Sequence, residues 1–89
     1  MDRQLELQKF HYFDEGNSYA GEKVKDADKG LRLRYRVEPN KEESVFLVYA
    51  WEEDLCFQRA HDIEQKTYPF SEEGLEQAVD WLEEKYAAL

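Results

Sequence analysis

Cysteine is almost missing from this chain of 89 residues: Cys56 stands alone. One thiol closes no internal disulfide, which excludes a disulfide-stapled scaffold and fits a reducing compartment. Proline occurs only at Pro39 and Pro69, and the four glycines are scattered. That excludes collagen-like and proline-rich architectures, and it leaves no glycine-rich loop to cradle a phosphate. Long apolar runs are missing too. The longest, Val45–Trp51, has seven residues, where a membrane helix needs about 18–20. The opening "MDRQLELQKF" lacks the basic and apolar regions of a secretory leader. These features together read as a cytoplasmic protein.

Basic residues become scarce halfway along. Residues 1–41 hold nine Lys/Arg against eight Asp/Glu, a net of +1, whereas residues 42–89 hold three against thirteen, a net of −10. The formal net charge of −9 repels a phosphate backbone, so general nucleic-acid binding is disfavoured. The plainest reading of the charge is a solvated acidic surface. Charged residues are 37% of the chain, yet aromatics make up 15% and apolar residues 42%, enough for a packed core and against a disordered tail. The length suits one domain, residues 1–89.

The hydropathy pattern predicts an α+β fold. A four- to five-stranded antiparallel meander spans about residues 5–65, and one amphipathic helix spans about 71–88. "LELQKFHYF" (Leu5–Phe13) reads as a strand whose apolar parity changes, which suggests a bulge. "SYAGEKV" reads as a weaker strand, with a bulge or frayed edge at Gly21. "LRLRYRV" alternates cleanly: Leu31, Leu33, Tyr35 and Val37 on one face, and Arg32, Arg34 and Arg36 on the other. Pro39 is expected to break that strand. "SVFLVYAW" (Ser44–Trp51) is the next strand, "LCFQRA" (Leu55–Ala60) can pair back against it, and "HDIEQKTYPF" continues as strand or connection. Ser71 then reads as an N-cap, with Glu72 and Glu73 in the first turn. Gly74 replaces the acid of a full capping box. At 100° per residue, Leu75, Ala78, Val79, Leu82, Tyr86 and Leu89 form one stripe, with Trp81 at its margin. The acids face away from it. The helix should pack across one face of the sheet.

Val45–Trp51 does not alternate as a strand with one wet face should. Val45, Leu47, Tyr49 and Trp51 are the bulkier set and are expected to take the helix. Phe46, Val48 and Ala50 then form a candidate apolar interface, capped by Phe10 and Tyr12, by a partner chain or by a second copy.

Catalytic and ligand motifs fail one by one. Asp26 and Asp28 open like a calcium loop, but its sixth and twelfth positions are Leu31 and Val37, not glycine and glutamate. Cys56, His61 and Asp62 imitate a thiolate–imidazole–carboxylate set, and His11, Cys56 and His61 a metal set. Neither reaches the required geometry from spacing alone. No catalytic, cofactor or metal residue is therefore assigned, and the chain is not read as an enzyme.

The leading expectation is a small acidic interaction module that binds a protein, acting alone or as a homodimer. Its candidate contact is the acidic helix face of Glu76, Asp80, Glu83 and Glu84, suited to a basic partner. The alternative is an acidic DNA mimic that blocks a nucleic-acid enzyme, an analogy of class with phage-type anti-defence proteins. A weaker alternative is a single-stranded nucleic-acid binder using Arg32, Arg34 and Arg36 as an anion-binding row. The plainer reading of that row is cross-strand ion pairing.

Overall fold

The computed structural model describes residues 7–52 and 58–89. A short helix, α1 (Phe10–Asp14), is followed by strands β1 (Tyr19–Asp26), β2 (Leu31–Asn40), β3 (Val45–Trp51) and β4 (Glu64–Pro69), then helix α2 (Glu72–Ala87). The strands pair in sequence order as an antiparallel meander. Helix α2 packs against β4, β3 and β2, so the expected α+β sheet with one covering helix is the fold observed.

Five local expectations are corrected. The first strand is instead α1. Leu7, Phe10 and Phe13 recur every three residues, a helical spacing that brings the rings of Phe10 and Phe13 to Phe46 at 6.1 and 5.4 Å. A change of parity within a supposed strand was the trace of that period. Leu5 lies outside the described residues. Tyr12 donates its hydroxyl hydrogen bond to the Ser18 carbonyl, and Asn17 donates to the Tyr12 carbonyl, which together close α1 against the start of β1.

Next, β2 runs through Pro39 to Asn40 instead of stopping. Pairing with β1 ends at Tyr19↔Val37, while Pro39 still faces Phe46 of β3. Past that end β2 is locally an edge, and an edge tolerates a residue with no N–H. The β1 irregularity falls between Val24 and Asp26, not at Gly21. A strand over Leu55–Ala60 is not formed by its described part, since Gln58 and Arg59 lie in a turn; residues 53–57 lie outside the described residues.

The last correction concerns what the helix covers. Register pairs Tyr35 with Ala50, Val37 with Val48 and Pro39 with Phe46. Directly opposite residues share a face, so Phe46, Val48 and Ala50 join Leu33, Tyr35 and Val37 on the inner side. Phe46 and Val48 are 0% exposed and Ala50 is 2% exposed. They form one core with Phe13, Leu75, Ala78, Trp81 and Leu82. Phe46, Val48 and Ala50 are therefore core residues, not an apolar interface. Phe10 does cap Phe46, as expected, but it works beside α2 and on the same side. The outer face carries Val45, Leu47, Tyr49 and Trp51 together with the arginine row.

The helix ends show how local chemistry fixes α2 on the sheet. The Ser71 hydroxyl accepts from the Gly74 N–H at 3.0 Å, satisfying one of the unpaired first-turn donors. A methyl on Gly74 would overlap the Pro69 carbonyl oxygen and lie 2.8 Å from its carbon. That approach lets the chain leave β4 and enter α2 directly. At the other end, Lys25 shares the inner parity of Gly21 and Lys23, which pair with Tyr35 and Leu33. Its ammonium donates to the carbonyls of Tyr86, Ala87 and Leu89 at 3.1–3.3 Å, where the helix dipole is negative. Among the described residues, no helix is long and apolar enough to cross a membrane.

Candidate functional site

Two surfaces with opposite character lie on the two sides of the sheet. The first is the outward side of α2. Glu72, Glu76, Asp80 and Glu84 recur at four-residue steps and are all exposed. They form one helical ridge, with a carboxylate about every 6 Å along the axis. Glu73 is exposed beside them and Glu83 is half-buried. The helix also contains Lys85. Its ammonium is held by Glu64 of β4 and lies over the Trp81 ring at 5.5 Å, so this cation is spent at the sheet edge. Asp80 and Glu83 each engage a neighbouring group, so the expected face is acidic without being wholly uncommitted. Its field reaches Tyr68, whose hydroxyl is pushed above its ordinary range by burial first, then by Glu84 and Asp80.

The second surface is the outer sheet face. Arg32, Arg34 and Arg36 stand here, on the opposite side from the acids of α2. Arg34 Nε lies 2.8 Å from Glu22 Oε2, and Arg32 lies 3.6 Å from the same carboxylate. Glu22 is the register partner of Arg34, so this is a cross-strand pair. Arg36 donates to Glu38 Oε1 at 3.2 Å, two residues on along β2. The ion-pair reading of the row therefore has its partners in place, in Glu22 and Glu38. Neither acid stood out in the sequence, although alternation within β2 places Glu38 beside Arg36. Val45, Leu47 and Tyr49 are half-buried beside the row, and Trp51 is 5% exposed. Burial, followed by Glu38, pushes the Tyr49 hydroxyl up, with Arg36 opposing. A hollow of about 450 Å³ on this face is lined by Glu22, Arg34, Arg36, Trp51 and Gln58 among others.

Among the described residues, those weighed for catalysis or metal binding fall in two separate places. His11 lies on α1, 2.7 Å from Glu15. His61 and Asp62 line a different hollow of about 540 Å³ with Glu52, Glu64, Trp51 and Lys85. Cys56 lies outside the described residues. Among the described residues, no three His, Cys, Asp or Glu side chains are grouped to hold a metal ion. Asp26 serves a turn: its Oδ1 accepts from the N–H groups of Asp28 and Lys29 at 3.1 and 3.3 Å.

No protein-family model matches the chain, and no curated protein or solved structure is significantly similar to it.

Proposed function

We propose that this protein is a non-catalytic cytoplasmic interaction module whose α2 ridge docks on a basic partner. The observation that carries the reading is the ridge Glu72–Glu76–Asp80–Glu84, borne on a helix held at both ends by Ser71 and Lys25. Like charges at i and i+4 destabilise a helix by about 0.2–0.5 kcal/mol per pair. The ridge contains three such pairs, and the fixed ends offset that cost. A rigid row of carboxylates suits a partner whose cations are themselves fixed in a groove.

The same rigidity supports the sharper form of the reading, an acidic mimic of a phosphate backbone that blocks a nucleic-acid enzyme. A mimic must hold its charges at set spacing, and a helix ridge does so.

The test is capture from native lysate by wild type and by the variant Glu76→Gln/Asp80→Gln/Glu83→Gln/Glu84→Gln. A partner retained by wild type, released as salt rises and not retained by the variant supports the reading. Equal retention by both proteins rejects this face as the contact. Displacement of the captured partner by duplex DNA separates the mimic from a plain docking module.

A further inference from the structure

We infer that the open edge of β4 receives an extended segment of a basic partner as a fifth strand, with lysine or arginine at alternate positions facing α2. The inference rests on the reading of α2 as the contact for a basic partner, and it names the form in which that partner binds.

The edge follows from the pattern of the ladder. β4 is the last strand of the sheet, and among the described residues no strand lies on its far side. The Phe70 N–H donates to the Ser44 carbonyl at 2.9 Å, one step beyond the Val45↔Pro69 pair. Alternate pairs of an antiparallel ladder exchange hydrogen bonds. Phe46↔Tyr68, Val48↔Lys66 and Ala50↔Glu64 are therefore the bonded pairs. Gln65, Thr67 and Pro69 turn their backbone groups the other way. Pro69 has no N–H to leave unpaired, and its carbonyl accepts from the Ser71 N–H at 2.9 Å. Gln65 and Thr67 each turn an N–H and a C=O away from β3, and both residues are exposed. Such a row is a template for an added strand. The opposite edge is less suited. β1 carries Lys23 and Lys25, and its pairing slips between Val24 and Asp26, features that blunt an edge.

Charge complementarity selects the occupant. Successive helix residues turn by about 100°. On α2, the Tyr86 ring lies under Lys25 of β1, and Lys85 holds Glu64 of β4. Glu84, the next step round in the same sense, therefore stands beyond β4, on the side of the open edge. Glu73, Gln77 and Asp80 share that side by helical spacing. Asp80 already engages a neighbouring group, while Glu73 and Glu84 are exposed. Glu73 and Glu84 lie about 16 Å apart along the helix axis, and β4 is about 16 Å long, so the stripe runs the length of the edge. Burial first, then Glu84 and Asp80, raise the Tyr68 hydroxyl, which puts their field on β4 itself. β4 contributes one cation of its own, Lys66, and these carboxylates outnumber it. A second copy's β4 would bring the same acids to the same edge, so charge favours a basic partner over self-pairing.

Strand addition fixes the partner's pattern. Side chains alternate across a strand, so every second side chain of the added segment meets the carboxylates of α2 and the Tyr68 ring, which can receive a cation. The others lie on the outer side with Gln65 and Thr67 and need no charge.

The probe is a short acetylated peptide of alternating lysine and valine, titrated into the full chain to ~1 mM and followed by amide NMR and hydrogen exchange. In the free chain the Gln65 and Thr67 amides should exchange rapidly, and saturating peptide should slow both at least tenfold. Thr67→Pro deletes one outward N–H and no bond to β3, so it should fold and bind at least tenfold more weakly. Glu73→Gln/Glu84→Gln should also weaken binding at least tenfold. The same peptide with every backbone nitrogen methylated keeps its charge but cannot pair, and its binding should be lost; this arm decides on wild type alone if Thr67→Pro does not fold. Gln65 and Thr67 amides already protected in the free chain overturn the inference. So does equal binding by Thr67→Pro or by the methylated peptide, or no binding by wild type. If the edge fails in any of these ways while wild type still captures a salt-sensitive partner that the four-glutamine variant does not, the α2 reading stands without strand addition.

Discussion

Two glycines show how single residues set this fold. Gly74 allows the Pro69 carbonyl to press on the first turn of α2. Gly→Ala normally stabilises a helix by about 1 kcal/mol, but here the obstructing atom is backbone and cannot swing aside. Gly74→Ala should lower stability by about 1–3 kcal/mol, as overpacking does, measured by urea denaturation. At Gly21 a methyl would lie 2.6 Å from the Tyr35 hydroxyl oxygen, a side-chain atom that can move. Gly21→Ala should therefore cost less than Gly74→Ala, and the reverse order would refute the backbone-contact argument. Tyrosines add a pH effect. The Tyr68 and Tyr49 hydroxyls are held above the ordinary 10.0, so folding favours their neutral forms. Their contribution is full below pH 10 and is lost as pH rises through the folded values. Tyr68→Phe should flatten the alkaline fall in melting temperature relative to wild type; equal falls would show that Tyr68 does not contribute to it.

At the scale of elements, α2 and β2 were legible because each buries one face and shows a single clean period. The helix stripe of Leu75, Ala78, Val79 and Leu82 is buried as its phase predicted, and Trp81 at the margin is drawn in as well. Strand β3 was legible as a strand but not in its orientation, because both its parities are apolar. Bulk suggested that Val45, Leu47, Tyr49 and Trp51 would take the helix. Register decided otherwise. The Lys41–Ser44 turn, with Ser44 at φ 56°, pairs Asn40 with Val45 and so fixes every later pair. The acidic helix face followed from phase alone, while the acids that serve the arginine row needed strand pairing to be seen. Leu82 is 0% exposed, and Leu82→Ala should cost about 2–5 kcal/mol. Phe46 packs against Phe10, Phe13 and Phe70, so Phe46→Asp should abolish the cooperative melt and the near-ultraviolet signal. A folded Phe46→Asp monomer would show that this side of β3 is not the core side.

The whole molecule is a plate of 40 × 33 × 17 Å in which α2 carries a net of −5 of the chain's −9 and the outward strand residues behind it are nearly neutral. The same segregation makes stability depend on salt in a direction opposite to binding. In ~0.01 M salt the screening length is about 30 Å, comparable with the plate, so its carboxylates repel across the whole structure. In ~0.15 M salt it is about 8 Å, less than the plate's thickness, and only near neighbours interact. Unfolding spreads the charges apart, so weak screening favours the unfolded chain. The melting temperature should therefore rise between those two salt concentrations, while affinity for a basic partner falls. The variant Glu76→Gln/Asp80→Gln/Glu83→Gln/Glu84→Gln removes four of these charges. It should melt higher than wild type in low salt and respond less to added salt. A wild-type melting temperature that falls with salt would mean that its ion pairs, chiefly Glu22 with Arg34 and Glu64 with Lys85, outweigh the repulsion along α2, and the acidic ridge would then be no burden on the fold.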